Sequence, residues 1–155
     1  NFVYLSDNTF NDKEILKAER YMLHVLNYSL TYPSPLTFLR RISKADNYDI
    51  RTRTLAKYFM EVVLMDETLL NCPPSMMAAA SLWLARRMLG RGMWNANLIH
   101  YSGNYTEEQI ICFSSKIVEY LKKPTKYEAV FNKYSSKKYM KASIFSQEYV
   151  RSREL

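Results

Sequence analysis

The segment that follows Pro73 and Pro74 constrains the fold more than any other part of the chain. Residues 78–80 are three consecutive alanines, and methionine and leucine flank them on both sides. Wound into a helix, this segment is apolar on nearly every side. Such a helix is normally buried, and small alanine side chains let neighbouring helices approach closely. The sequence therefore predicts a central buried helix that runs to about Leu89, with other helices packed around it.

Amphipathic segments elsewhere in the chain supply those other helices. Apolar residues recur at helical spacing, and only three glycines occur in 155 residues, which favours helices over a turn-rich sheet. Prolines separate neighbouring segments, and Thr106 with Gln109 has the pattern of a capping box. We predict an all-α fold: about five helices around the central one, preceded by one leading helix. The helices predicted beside the central one cover residues 11–27, 35–42, 49–64, 94–101, 106–123 and 125–134, and a basic, aromatic tail starts at Ser135.

Composition excludes several classes of function. The formal charge is +7, but the basic residues are spread along the chain and no zinc finger or RNA-binding motif occurs, so phosphate groups are better candidate ligands than nucleic acid. The two cysteines lie in or beside apolar helical stretches, without CxxC spacing and far from either histidine. We therefore predict buried reduced thiols, no metal and no cofactor. No apolar run approaches the roughly 20 residues of a membrane span, and we predict no membrane partner.

Catalytic motifs are missing as well. The chain has no Ser/His/Asp order, no paired catalytic carboxylates and no phosphate-cradling glycine loop. We predict that the protein is not an enzyme and has no catalytic residues.

Several motifs in succession give the chain a family resemblance. FVYLSDNTF and KAERYMLHVLNYSL are similar to the last loop and last helix of the first cyclin box in B-type (mitotic) cyclins of fungal type. FLRRISKAD, RTLAKYFMEV, PPSMMAAASLWLARRML, LIHYSGNYTEE and NKYSSKKYMKAS resemble successive pieces of the second box. On this resemblance, residues 1–32 end the first box, residues 33–145 form the second, and residues 146–155 are a tail.

The resemblance implies a function. It points to a non-catalytic regulatory subunit that binds and activates a cyclin-dependent protein kinase and drives the G2/M and mitotic phases of the cell cycle. It also implies phosphorylated substrate or regulator peptides as partners, and a location in the nucleus and cytoplasm. The earlier helices of the first box, one of which carries the docking patch for substrate motifs, have no counterpart here. We therefore expect the chain to be a piece of a longer protein.

Glu19 on the leading helix is the first candidate binding residue. Apolar residues stand three and four positions before and after it, so its carboxylate lies on an apolar flank of the helix. Spacing alone leaves two interpretations open: a rim glutamate paired with Lys13, Lys17 or Arg20, or a contact for another protein. The resemblance implies the second, because the matching glutamate of cyclins faces the mobile helix of the kinase. The kinase-binding candidates carried over by position are Glu19, Arg20, Leu23, Tyr28 and Leu30.

A basic cluster is the second candidate site. Arg53 and Lys57 are four residues apart and share a helix face, and Arg40 lies on the preceding helix, which a short link keeps nearby. Either nearby carboxylates neutralise these cations, or the cations bind an anionic ligand. The nearby carboxylates are those of Asp46, Asp49 and Glu61. The resemblance implies the second interpretation, because B-type cyclins share a phosphate-binding pocket whose three basic members match Arg40, Arg53 and Lys57.

Two other functions stay open at the level of the sequence. The cyclin-like fold of general transcription factors binds DNA with the same helices and a basic surface, and a cyclin-fold adaptor would bind partners without activating a kinase. A kinase that co-purifies with the intact protein supports the regulatory subunit. Salt-sensitive affinity for duplex DNA supports the transcription-factor module.

Overall fold

The structure is a computed structural model that describes residues 1–67, 71–122 and 128–153. Within these ranges every regular element is a helix, so the predicted all-α class is confirmed. The chain divides into two compact units, Asn1–Tyr32 and Pro33–Leu155. None of the described helices is long and apolar enough to cross a bilayer.

The first unit contains the short helix α1 (Phe2–Leu5) and the longer helix α2 (Asp12–Val25). A capping box starts α2: the side chain of Asn11 accepts a bond from the Glu14 backbone N–H at 3.0 Å, and the Glu14 carboxylate accepts one from the Asn11 backbone N–H at 2.9 Å. No residue of α1 or α2 is buried within this chain. The apolar residues of both helices are therefore left without a covering layer in this unit.

The second unit contains seven α-helices in the described residues, and a 3₁₀ turn lies at Lys137–Tyr139. The helices are α3 (Pro35–Ile42), α4 (Ile50–Leu64), α5 (Pro74–Met88), α6 (Ala96–Ser102), α7 (Glu107–Lys122), α8 (Glu128–Ser135) and α9 (Ala142–Arg153).

Helix α5 is the centre of the second unit, as the sequence predicts. Its residues from Met77 to Ala85 are all buried, and α3, α4, α6 and α7 pack against it. The Nε1–H of Trp83 donates to Glu107 at 2.8 Å and so ties α5 to the first turn of α7. Gly90 follows the helix with a φ of +66°, a left-handed conformation that glycine adopts at low cost.

The sequence pattern did not predict the short helix α1 or the longer helix α9. Helix α9 is the larger omission. It packs on α4, α7 and α8, and its inward residues are mostly small or polar: Ala142, Ser143, Ser146 and Val150. The Ser143 hydroxyl donates to the Phe131 carbonyl at 2.9 Å, which joins α9 to α8. An inward face with two serines carries no apolar periodicity, and this hid the helix. The boundary between the predicted helices at 106–123 and 125–134, which Pro124 separates, lies outside the described ranges, as do the last two tail residues.

Candidate phosphate and partner sites

Helix α3 places Arg40 in its last turn. The Ser34 hydroxyl caps the helix by accepting from the Leu36 backbone N–H at 3.3 Å, and Pro35 occupies the first helical position, where its missing N–H costs nothing. Arg40 is exposed and lies near the carbonyl end of the helix, where a positive charge is favourable. The helix thus holds this cation at its solvent face.

Helix α4 carries the other two cations one turn apart. Its N-cap is Asp49, whose carboxylate accepts from the Thr52 backbone N–H at 2.9 Å and from the Thr52 hydroxyl at 2.6 Å. Thr52 is fully buried, which fixes the rotation of the helix, and Arg53 and Lys57 are then half-buried at its edge. Because both residues lie within α4, they share one face of it, as their spacing predicts.

The carboxylates proposed as neutralising partners are engaged elsewhere. Asp46 is paired with Arg86, Asp49 with Arg91 at 2.9 Å, and Glu61 with Lys133 at 2.6 Å. Across the described part of the chain, no hydrogen bond or ion pair engages the side chain of Arg40, Arg53 or Lys57. These three cations, called the basic trio below, therefore have no carboxylate partner of their own there.

Glu61 is held by a tight cluster on α8. The buried Tyr134 hydroxyl donates to its carboxylate at 2.7 Å, and the Lys133 ammonium lies 5.1 Å from the centroid of the Tyr134 ring. Burial, and then the bond to Glu61, raise the pKa of Tyr134 well above its usual range. The phenol therefore stays protonated and keeps donating, so Glu61 is fixed to α8 at neutral pH.

The predicted kinase-contact residues of the first unit lie at its surface. Glu19 and Arg20 are exposed on α2 and Leu23 is half-buried. After the helix, Tyr28 is 67% exposed and Leu30 66% exposed. No ion pair of Glu19 with a neighbouring cation occurs in the described residues. The rim pairing considered from the sequence is therefore not formed.

Both cysteines are free thiols, but the prediction that they are buried was wrong. Cys112 is exposed on α7 and Cys72 is only half-buried, although burial does raise the pKa of the Cys72 thiol. Ile111, the residue before Cys112, is exposed as well. This stretch of α7 therefore exposes two residues of types that are usually buried. No cluster of three metal-ligating side chains occurs in the described ranges.

A cleft beside Lys57 is the feature of the site that sequence reasoning missed. It has a volume of about 350 Å³ and lies between α3, α4 and α8. The sequence does contain a signal for it. Met60 and Leu64 follow Lys57 at spacings of three and seven residues, so the helix face that carries Lys57 continues with apolar side chains.

Comparison with known proteins assigns the family. Residues 33–148 match the family model described as "Cyclin, C-terminal domain". The chain belongs to the cyclin family. This confirms the resemblance drawn from the motifs, and the fold agrees with it, because the matched region is the helical unit built around α5.

Three G2/mitotic-specific cyclins of fungi are among the relatives of this cyclin chain. It is 55% identical over 155 residues to cyclin cdc13 of Schizosaccharomyces pombe, and 53% identical over 151 residues to cyclin-B of Emericella nidulans. It is 44% identical over 149 residues to cyclin-2 of Saccharomyces cerevisiae. These alignments take in 100%, 97% and 96% of this chain, but 32%, 31% and 30% of the relatives. The chain thus spans about a third of the length of these relatives.

Proposed function

We propose that this chain is part of a non-catalytic regulatory subunit that binds and activates a cyclin-dependent protein kinase in G2 and mitosis, in the nucleus and cytoplasm. The observation that carries the proposal is the 55% identity, over the whole chain, to a G2/mitotic-specific cyclin. The mechanism is a shift of populations: the regulatory subunit binds the active arrangement of the kinase better than the inactive one and so stabilises it. All phosphoryl-transfer chemistry belongs to the kinase, whose Lys–Glu ion pair and activation loop depend on that arrangement.

The kinase-contact surface in this proposal is the flank of α2 and the segment after it. It consists of Glu19, Arg20, Leu23, Tyr28 and Leu30. The exposure of this surface supports the proposal, because an unpaired carboxylate next to bare apolar side chains offers both a hydrogen-bond acceptor and apolar area to a partner.

A double substitution in the full-length protein tests this surface. We expect Glu19→Ala with Leu23→Ala to lower both co-purifying kinase and kinase activity by at least tenfold, since two contacts of about 1–2 kcal/mol each are lost. Lys17→Ala is the control, because Lys17 is exposed on the opposite side of α2. Unchanged kinase binding in the double variant contradicts the surface. Normal kinase binding by the wild-type protein without activation supports an adaptor instead.

We propose that the basic trio binds phosphorylated serine or threonine motifs of substrates or regulators. Three cations without a carboxylate partner repel one another, and an anion placed among them relieves this repulsion. Arginine suits phosphate through two parallel charge-assisted hydrogen bonds, and lysine adds a point charge. The assignment of the trio is thus supported by charge as well as by position in the motif.

A charge-matched pair of triple variants tests the phosphate site. The first variant replaces Arg40, Arg53 and Lys57 with alanine. The control variant replaces Arg41, Lys44 and Arg51, three exposed cations of the same two helices and their link. By fluorescence polarisation on a phosphoserine peptide and its unphosphorylated twin, we expect the first variant to lose at least tenfold in phosphate-dependent affinity. The control should stay within twofold, and equal losses in both variants would defeat the proposal.

A further inference from the structure

The cleft next to Lys57 has the size and lining of a binding site that the proposed function does not use. Its volume of about 350 Å³ falls within the roughly 300–1,000 Å³ typical of ligand pockets. Apolar side chains supply much of its lining: Pro35 and Leu36 from the start of α3, and Met60 and Leu64 from the second half of α4. Leu64 is 43% exposed, so apolar surface is left bare here.

The cleft and the basic trio belong to the same two helix faces. On α4, Lys57 stands four residues after Arg53 and seven before Leu64, so the three side chains share one face. On α3, Leu36 and Arg40 are four apart and share a face in the same way. Each helix face therefore has a basic end, at Arg40 on α3 and at Arg53 on α4, and an apolar end, at Leu36 on α3 and at Leu64 on α4.

The packing of α3 against α4 places the apolar ends of the two helix faces next to each other. The two helices contact each other, and the start of α3 and the end of α4 both line the cleft, so they run antiparallel. The apolar ends thus meet at Leu36 and Leu64, while Arg40 lies one turn along α3 from that end, towards the Arg53 half of α4. Lys57 lies between the two regions, lining the cleft and belonging to the trio.

The charges in the cleft favour an apolar guest over a second anion. The one carboxylate in its lining is that of Glu61, and this already accepts from Lys133 at 2.6 Å and from Tyr134 at 2.7 Å. Lys133 is in turn engaged by Glu61, which leaves Lys57 as the cation without a carboxylate partner among the residues of the lining. A phosphate at the trio takes up Lys57, and the lining that remains is mostly apolar.

We propose that this cleft is a specificity subsite that binds an apolar side chain of the phosphorylated segment docked on the basic trio. The inference rests on the proposed phosphate-binding function. The centre of Arg53 and Lys57 lies about seven residues from the centre of Met60 and Leu64 along α4, or about 10 Å at a rise of about 1.5 Å per residue. An extended peptide covers about 3.3 Å per residue. The apolar residue of the partner therefore stands about three residues from the phosphorylated one.

A positional scan on the full-length protein tests the subsite. The probes are fluorescein-labelled peptides with one phosphoserine in an alanine background, in which a single leucine is moved from five residues before to five residues after the phosphoserine. We expect leucine three or four residues away, on one side only, to tighten binding at least fivefold over the all-alanine phosphopeptide. Leu64→Ser should abolish this gain and leave the affinity for the all-alanine phosphopeptide within twofold.

Ile111→Ser is the matched control, because Ile111 is 44% exposed and lies on α7, away from the cleft lining. It should keep the leucine gain, and thermal unfolding should show that both variants fold. Phosphate-dependent binding without any leucine preference overturns the subsite and leaves the proposed function standing. A preference for an acidic residue at the same offset also overturns it. Binding that does not depend on phosphate, or that survives loss of the trio, overturns both.

Discussion

Asp49 makes two kinds of contact at the start of α4, and both bear on the residues that follow it. Its carboxylate caps the helix through Thr52 and pairs with Arg91. Burial opposes ionisation of this carboxyl, but the bonds from Thr52 and the charge of Arg91 outweigh it and lower the pKa of Asp49 below its usual 3.8. The ionised carboxylate therefore helps to fix the turn from which Arg53 projects.

We predict that Asp49→Ala lowers the free energy of unfolding by about 1 kcal/mol at neutral pH, the usual cost of losing an N-cap. Asp49→Asn should cost less, because its amide oxygen still accepts from the Thr52 backbone N–H. The folded-state pKa is below the unfolded one, so the ionic stabilisation is present above pH 3.8 and is lost as the pH falls through the folded value. We therefore expect the difference in free energy of unfolding between wild type and Asp49→Asn, measured by urea unfolding, to be smaller at pH 3 than at pH 7. A gap that is the same at both pH values would contradict this.

At the level of elements, α5 and α7 each bury one serine, and the two serines differ in their hydrogen bonding. The Ser114 hydroxyl on α7 donates to the Ile110 carbonyl at 2.8 Å and lies 3.4 Å from the Ala80 carbonyl of α5. The Ser81 hydroxyl on α5 is fully buried and has no hydrogen-bond partner among the described residues. A buried hydroxyl without a partner costs free energy, whereas a bonded one does not.

We predict that Ser81→Ala leaves the free energy of unfolding unchanged or raises it by up to about 1 kcal/mol, because it removes an unsatisfied polar group from the core. Ser114→Ala is the matched comparison, and it should lower that free energy by about 1 kcal/mol because it removes a satisfied bond. Urea unfolding of both variants provides the measurement. Equal destabilisation by the two substitutions would show that Ser81 does have a partner.

Across the whole molecule, burial is confined to the second unit. Every buried residue in the described ranges lies in Pro33–Leu155, and none lies in Asn1–Tyr32. Helix α2 has 14 residues, about the length at which an isolated helix is marginal in water. The first unit therefore lacks a core of its own, and its exposed apolar residues fit a segment whose covering layer is supplied by other parts of the protein or by a partner.

We predict that residues 33–155 alone unfold cooperatively, with a thermal midpoint within about 5 °C of that of the full chain, since a loss of about 1 kcal/mol shifts the midpoint of a domain of this size by a few degrees. Residues 1–32 alone should show little helical circular dichroism at 25 °C. A midpoint lowered by much more than this in the shorter protein would mean that the first unit supplies part of the core.

Local signals in the sequence determined most of the helices and their ends. The capping box at Asn11, the caps at Ser34 and Asp49, and the all-round apolar character of α5 act between residues a few positions apart, where spacing and propensity suffice. The face shared by Arg53 and Lys57 follows from a four-residue spacing in the same way. The motifs also indicated the family, and the match to the cyclin C-terminal domain confirms it.

Tertiary structure alone decided which charges are left without a partner. The pairings that occupy Asp46, Asp49 and Glu61 join residues 40, 42 and 72 positions apart, so they depend on which helix ends the packing brings together. The same holds for α9, whose inward Ser143 bonds to α8, and for Cys112, whose exposure depends on where α7 meets its neighbours. Spacing fixes what a helix presents on each face, but only the packed helices determine what each face meets.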